Sequence, residues 1–494
     1  MVNIRIANSP VMASLKTRAI NGVVWMSIEM IGVQAISFAV FATIAHFVAP
    51  RDFGLMSISF VAVQSLQMLF LYNICTVAIR QQTTSDLDFT TAFWMTIACA
   101  ALLFLTLYEI SGCAERLFKA PGLKSVLREM SVVLLFMGLS RTHEAWLMRN
   151  FYFKSLAIRG LAGALAGGLA GVLLAVSGFG VKALVGQQII NSVVTTALLW
   201  FVCPWRPAFQ FSVSRCLDIA IFMRSILPNS VVYVINQNCD TLLIAFFFGP
   251  ANAGFYNIGK RIRLALQLVA GEPIKNITLP ALAEMQDNPE QLRAGVLYSL
   301  TLVCVICSPV FFGLSSIAHD VITVVFGKKW IASVPIMQIL SFGGLAIVLL
   351  ACNDNIFILK RRQVWCLYVS LTYTLLAIIA LLVCFKLKVS SVALPFVLPY
   401  LLVLPLSAWL VTKKLLISIR EMVSAMLPGV CSATGMFLVL QLLRPHLQTP
   451  NIFFHISMLC ATGGLSYFAI LRSVWPTAAK MVFENFFRFR LRQD

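Results

Sequence analysis

Runs of about 20 consecutive apolar residues constrain this chain more than any other feature, because each run matches one crossing of a bilayer's hydrocarbon core. Fourteen such stretches can be marked: 20–48, 53–79, 90–110, 126–147, 156–177, 181–203, 219–248, 254–280, 295–318, 333–358, 363–385, 389–411, 422–443 and 451–471. Hydrocarbon offers the backbone no hydrogen bonds, so segments of this kind fold as helices. The expected fold class is an all-α polytopic membrane protein. Composition agrees, with 60% hydrophobic and 12% charged residues, where soluble domains carry roughly 25% charged. The weakest stretch is 254–280, which holds Lys260, Arg261, Arg263, Glu272 and Lys275. Leaving it out gives an odd number of spans and puts the two termini on opposite sides.

The net charge is +19, from 38 basic and 19 acidic residues. With both termini inside, and a basic residue in the first four positions of a stretch counted with the connection before it, 21 of the 38 basic residues fall on inner segments, 11 on outer ones and six within spans. The inner set includes Lys360, Arg361 and Arg362, the pair Lys413 and Lys414, and a tail with Arg472, Lys480, Arg488, Arg490 and Arg492. That bias follows the positive-inside rule, and it places both ends in the cytoplasm. The amino-terminal run after Arg5, Lys16 and Arg18 is too long for a cleaved signal and reads as a retained first span.

Several function classes drop out. Nucleic-acid binders are basic but are not assembled from apolar runs. There is no Gly-x-x-x-x-Gly-Lys-Ser/Thr loop for ATP, no His-Glu-x-x-His and no Cys/His cluster at metal spacing, so neither cofactor nor metal is expected. The 13 cysteines have no framework spacing, and Cys304 and Cys307 sit in an apolar stretch as helix filler. The longest connections, 112–125, 204–218 and 281–294, are too short for a soluble catalytic domain. The chain does not read as an enzyme.

Sliding the sequence by 200 residues superposes Ile44, Ala45, Phe47, Pro50, Gly54 and Ile58 on Ile244, Ala245, Phe247, Pro250, Gly254 and Ile258. At offset 208, Phe118, Ser125 and Val126 fall on Phe326, Ser333 and Val334. Two units of six spans, an even number, keep the same orientation, and parallel repeats of this sort mark transporters. The expected organisation is a six-helix bundle over 1–205, a second over 206–412, and two extra helices with a basic tail over 413–494.

Ionisable residues inside spans cost roughly 2.5–3.5 kcal/mol each at mid-bilayer on insertion scales and therefore face an interior. The seventh span carries Ser225, Asn229, Tyr233, Asn236 and Asp240 at helical spacing, with Arg224 beside them. The eighth carries Lys260, Arg263, Gln267 and Thr278 on one face, with Gly271 in line, Lys275 at its edge and Arg261 alongside. Two readings stand. An Asp240–Lys260 or Asp240–Arg263 pair would clip two helices together, or snorkelling would carry Lys260 to the headgroups. Alternatively, the cluster forms a hydrated cationic wall that meets phosphate or sugar. Its repeat partners are Phe60, Val61 and Val63, so only one bundle supplies the charge. Glu29 shares a face with Arg18, Gly22 and Trp25, and cavity lining and helix packing explain it equally. With Asp240 it is a candidate for a coupling ion. Arg141, His143 and Glu144 read as interfacial ion pairs, Asp354 as a partner for Arg361, and Gly160, Gly163, Gly167 and Gly171 as a close-packing stripe.

Several segments together resemble a known family. They are Ala49-Pro50-Arg51-Asp52-Phe53-Gly54-Leu55, Thr91-Ala92-Phe93-Trp94, and Arg149-Asn150-Phe151-Tyr152-Phe153-Lys154. Further on come Asn238-Cys239-Asp240-Thr241-Leu242-Leu243-Ile244 running into Gly254-Phe255-Tyr256, and Phe326-Gly327-Lys328-Lys329-Trp330. Their order and spacing resemble the polysaccharide-transport family, Wzx-type flippases included, of the superfamily that also holds multidrug extruders and the lipid II flippase. The nearest flavour is that of rhizobial succinoglycan-type transporters. The chain departs from the pattern at Ala245-Phe246-Phe247-Phe248, where relatives continue with a small residue and Gly. The resemblance implies two bundles that move a polyprenyl-pyrophosphate-linked oligosaccharide across a bacterial inner membrane for exopolysaccharide synthesis. Candidate partners are membrane lipid, a polysaccharide polymerase and a chain-length regulator. The alternative is a cation-coupled multidrug extruder of the same fold.

Overall fold

The computed structural model describes residues 10–80, 86–386, 392–415, 417–447 and 452–480. Arg5 and the tail residues Arg488, Arg490 and Arg492 lie outside them, as do the side chains of Lys16 and Arg18. The described residues are almost wholly helical and contain no strand. The chain divides into two compact units, Met1–Gly254 and Phe255–Asp494.

The first unit holds α1 (Pro10–Phe47), α2 (Pro50–Leu66), α3 (Tyr72–Arg80), α4 (Asp86–Leu117), α5 (Leu123–Arg149), α6 (Phe153–Val176), α7 (Val181–Val202) and α8 (Val213–Phe248). A π-helical turn at Gln67–Leu71 joins α2 to α3. Helix α5 sits at the middle of the packing and touches α2, α3, α4, α6 and α7, while α1 lies along α6. Sequence reading divides the bundles near residue 205, whereas the compact units divide at Gly254–Phe255. The difference is α8, which packs on α2, α3 and α4.

The second unit repeats this plan. It comprises α9 (Pro250–Leu266, beginning in the first unit's last residues), α10 (Glu272–Glu284), α11 (Pro289–Ser316), a short α12 (Ala318–Val325), α13 (Ser333–Leu359), α14 (Gln363–Lys386) and α15 (Leu394–Leu415). Helix α13 takes the central place, against α10, α11, α14 and α15. Helix lengths repeat as well: α2 and α9 have 17 residues, α5 and α13 have 27, α6 and α14 have 24, and α7 and α15 have 22. A second π-turn, Gln267–Gly271, falls 200 residues after the first. The duplication read from fifteen residues around Pro50 and Pro250 therefore extends through the whole bundle.

The appended helices α16 (Ile419–Leu443) and α17 (Ile452–Val474) are pinned to the second unit through α11. Gly429 permits contact between α16 and the Cys304 backbone that no Cβ would allow. Tyr467 donates to the Val305 carbonyl at 2.7 Å. Arg444 meets Asp320 at 2.9 Å, and Arg293 pairs with Glu421.

Among the described residues, twelve helices are long and apolar enough to cross a membrane. The two of the fourteen expected spans that miss this standard are α5 and the α9–α10 pair. Both carry charges. Helix α5 nonetheless occupies the centre of its unit, and its 27 residues reach about 40 Å at 1.5 Å per residue.

The repeated Pro and Gly have a common physical reason. Pro is tolerated in the first helical turn because the N–H it lacks has no intrahelical acceptor there, and Pro50 and Pro250 start α2 and α9. One turn later the two helices touch backbone to backbone. A Cβ on Gly54 would overlap the Pro250 carbonyl, and a Cβ on Gly254 the Pro50 carbonyl. Each glycine thus accommodates the other repeat's proline. Gly54→Ala is expected to lower the thermal midpoint of the purified chain by an overpacking cost of about 1–3 kcal/mol or more. Gly112→Ala, where a Cβ meets nothing within 4 Å, is expected to leave the midpoint unchanged or raise it.

Candidate functional site

The polar stripe on α8 is graded in exposure. Arg224, Ser225, Asn229 and Tyr233 are exposed, Asn236 is half-buried, and Asp240 is buried. Pro228 lies inside the helix beside them. A cavity of about 660 Å³ is lined by Ala220, Met223, Arg224, Leu227, Pro228 and Val231. Arg224 supplies the one charge among those six, on otherwise apolar walls. Tyr233 accepts a hydrogen bond from Gln237 at 3.3 Å. Asp240 accepts from the Thr241 backbone N–H at 2.6 Å and from the Thr241 hydroxyl at 3.3 Å. Its carboxylate is therefore partly engaged by its own helix.

Helix α9 brings Lys260 and Arg261, both half-buried, and Arg263, which is 8% exposed. Arg263 donates through Nη1 to Gln267 at 2.8 Å, while its buried Nε has no partner. The expected single face through Lys260, Arg263, Gln267, Gly271 and Thr278 does not survive the π-turn. That turn adds a residue, so side chains after Gly271 rotate away from those before it. Lys275 consequently belongs to a different local setting, 3.3 Å from Glu272, with its carbonyl accepting from Asn355 at 3.0 Å. Thr278 is buried and bonds back to the Ile274 carbonyl at 2.7 Å.

Both π-turns offer a carbonyl to a side chain. In the first unit Asn73 donates to Leu69 at 2.9 Å and to Ser230 on α8 at 3.0 Å. In the second, Cys307 reaches the Ala270 carbonyl at 3.6 Å. The π-turns are invisible in hydropathy, since a bulge changes register without changing composition.

Glu29 lies at the contact between α1 and α6. Its face lies on α6: a Cβ on Gly22 would strike Phe153, Trp25 lies under Lys154 Nζ at 5.7 Å, and the Glu29 carboxylate occupies space left by Gly160. Its partner is Arg159, at 3.7 Å, a residue that charge counting assigns to the inner connection. Arg159 also reaches Glu144 at 3.4 Å, and Arg141 holds Glu144 at 3.0 Å. Four charges from α1, α5 and α6 thus form one network. Gly163, Gly167 and Gly171 serve close packing as expected, against Asn191 and Gln187 of α7, whereas Gly160 makes room for a carboxylate.

Two further expectations are corrected. Among the described residues His143 joins no ion pair. It is fully buried among Phe93, Trp200 and Trp205, with ring centroids 4.6–5.7 Å away. Asp354 has no ion-pair partner within 4 Å among the described residues; its carbonyl faces Cys366 instead. Those residues also hold no cluster of three or more metal-ligating side chains.

The fold matches solved transporters over nearly its whole length. The chain superposes on the lipid II flippase MurJ in an inward closed conformation with a TM-score of 0.74, at 14% identity, covering 92% of this chain and 99% of that one. An inward-facing multidrug resistance MATE family transporter of the MOP superfamily follows with a TM-score of 0.61, covering 80% and 98%. The fold is the one that these two structures share. Residues 43–335 match the family described as Polysaccharide biosynthesis protein, more than half of the chain, and the chain belongs to it. Relatives include the lipopolysaccharide biosynthesis protein WzxC of Escherichia coli, 24% identical over 67% of this chain and 68% of that protein. The succinoglycan biosynthesis transport protein ExoT of Rhizobium meliloti is 23% identical over 64% of each chain. The teichuronic acid biosynthesis protein TuaB of Bacillus subtilis is 24% identical over 71% of this chain and 73% of that one.

Breaking a buried ion pair by removing one partner leaves an uncompensated charge and costs about 3–5 kcal/mol. Arg159→Ala leaves Glu29 and Glu144 without their shared cation. A loss toward that size is expected in the stability of the purified chain, against a much smaller loss for Lys154→Ala, whose ammonium stacks on an aromatic ring.

Proposed function

We propose that this chain translocates a polyprenyl-pyrophosphate-linked oligosaccharide across a bacterial inner membrane for exopolysaccharide synthesis, with both termini in the cytoplasm. The observation that carries this reading is the cationic cluster on α9, in a family whose relatives are named for building surface polysaccharides. A lipid carrier's tail is at home in hydrocarbon; its pyrophosphate and sugars are not. Lys260, Arg261 and Arg263, with Lys275 of the same unit, would stabilise the anionic head, and Arg224 of the other unit is a further candidate. Asn229, Tyr233, Asn236 and Gln267 would exchange hydrogen bonds with sugar hydroxyls. Glu29 and Asp240 are the candidates for the coupling ion. The polymerase and chain-length regulator that use the product are the proposed partners, and no chemical step falls to this chain.

The second reading, a cation-coupled multidrug extruder, draws on the MATE fold match and on Glu29 as an intramembrane carboxylate. Charge sign separates the two, because an organic cation gains nothing from an arginine-lined path.

Loss of the gene is expected to trap the lipid-linked repeat unit in the inner leaflet, read by its accessibility to an impermeant sugar-modifying reagent in intact and everted vesicles. Arg263→Ala at normal abundance is expected to reproduce that trapping at least in part. Trapped intermediate confined to the outer leaflet, or drug resistance conferred by this chain in a sensitised strain, would refute the assignment.

A further inference from the structure

The six basic residues that fall within the expected spans differ in what holds them. Arg141 pairs with Glu144, Arg263 with Gln267 and Lys275 with Glu272, and Lys260 and Arg261 also have partners. Among the described residues, the guanidinium of Arg224 alone of these six has neither an ion pair nor a hydrogen bond. A charge without a partner is costly in hydrocarbon, so its depth matters. Helix α8 ends at Phe248, where the chain turns at Gly249. About 30 Å of hydrocarbon takes about 20 helical residues, and that count back from Phe248 reaches Pro228. Arg224 lies one turn beyond. Its side chain leans toward the amino-terminal end of the helix, which carries the guanidinium to the depth of lipid phosphates.

The cavity of about 660 Å³ lies on this same stretch, and ligand sites are commonly about 300–1,000 Å³. Its lining residues, Ala220, Met223, Arg224, Leu227, Pro228 and Val231, step along one face of α8 at helical spacing. Arg224 stands toward the headgroup end of that face, and Leu227, Pro228 and Val231 lead from it toward the hydrocarbon. The chain leaves this part of the helix uncovered. Ile219 and Val234 are buried, but no residue between them is. Ser230 ties the stretch to α3, where Asn73 donates to it at 3.0 Å. A cation without a partner, an apolar track beside it and a cavity over both describe a site for an amphiphile with an anionic head.

We propose that this cavity binds an anionic phospholipid of the bilayer, with its phosphodiester on Arg224 and its chains along Leu227, Pro228 and Val231. Charge number selects that occupant. A phosphodiester lipid with an uncharged headgroup carries one negative charge and meets one guanidinium. The pyrophosphate of a lipid-linked sugar carries two, and Lys260, Arg261 and Arg263 on α9 match it better. A zwitterionic lipid brings a cation of its own beside Arg224. The bound lipid covers the apolar face that α8 leaves open, on the last helix lying wholly within the first unit. The inference gives Arg224 a resident lipid in place of the transported one, so it stands independently of the transport reading.

The test uses the purified full-length chain, delipidated in detergent, and involves no transport step. Phosphatidylglycerol or phosphatidylcholine is added while native mass spectrometry counts bound lipid and the thermal midpoint is followed. Phosphatidylglycerol is expected to bind and to raise the midpoint, and phosphatidylcholine to bind about tenfold more weakly. Arg224→Ala is expected to weaken phosphatidylglycerol binding about tenfold, while Arg224→Lys keeps most of the affinity. Arg116→Ala, which removes an exposed cation of α4, is expected to change nothing. Inorganic phosphate alone is expected to give no shift, because the apolar track then holds nothing. If Arg224→Ala fails to fold, Arg224→Gln, closer in shape, takes its place, and the comparison of the two lipids and phosphate needs no variant. Undiminished phosphatidylglycerol binding by the neutral variant, equal affinity for phosphatidylcholine, or a full shift from phosphate alone would each overturn the site. Displacement of phosphatidylglycerol by substoichiometric polyprenyl pyrophosphate would overturn it too, by returning Arg224 to the transport path.

Discussion

Hydrocarbon cannot hydrogen-bond, and the rest of this structure follows from that single constraint. Every backbone group within the bilayer has to be satisfied by the chain itself, so the described residues are helices joined by short turns. The same constraint governs the side chains. An ionised group inside a span has to bring its partner along, and Arg159 does so by holding Glu29 and Glu144 together. Where the backbone departs from α geometry at the two π-turns, side chains of Asn73 and Cys307 take up the carbonyls.

Duplication supplied the scaffold and left the chemistry to diverge. Matching helix lengths, π-turns 200 residues apart and the reciprocal glycine–proline contact belong to both repeats. The charges do not. Lys260, Arg261 and Arg263 stand where the first repeat has Phe60, Val61 and Val63, while the four-charge network belongs to the first unit. Each unit thus carries its own polar specialisation on a common frame.

Much of the fold was legible because hydropathy and length are properties of single segments. The start points at Pro50 and Pro250, the parallel repeat and twelve of fourteen spans needed no knowledge of neighbours. The site was legible in part. Helical spacing correctly grouped Arg263 with Gln267, but it carried the face on to Thr278 because a π-turn leaves no mark in composition. Counting charges by topology assigned Arg159 to a connection, since nothing local to Arg159 announces Glu29, 130 positions earlier. His143 read as a charged interfacial residue beside Arg141 and Glu144, yet its ring meets Trp200 and Trp205 at the end of α7, which no spacing rule connects to it.

By itself the sequence determined that this chain lives in a membrane, that its two halves repeat in parallel, and that four of the six cations placed within spans fall on the single stretch 254–280. Those are consequences of hydrophobicity and periodicity, which act along the chain. Only the tertiary structure decided which charges neutralise one another, which glycine makes room for a backbone and which for a carboxylate, and where the register of α9 breaks. Those depend on distances of 3–4 Å between helices far apart in the chain, the range over which an ion pair or a hydrogen bond is made or lost.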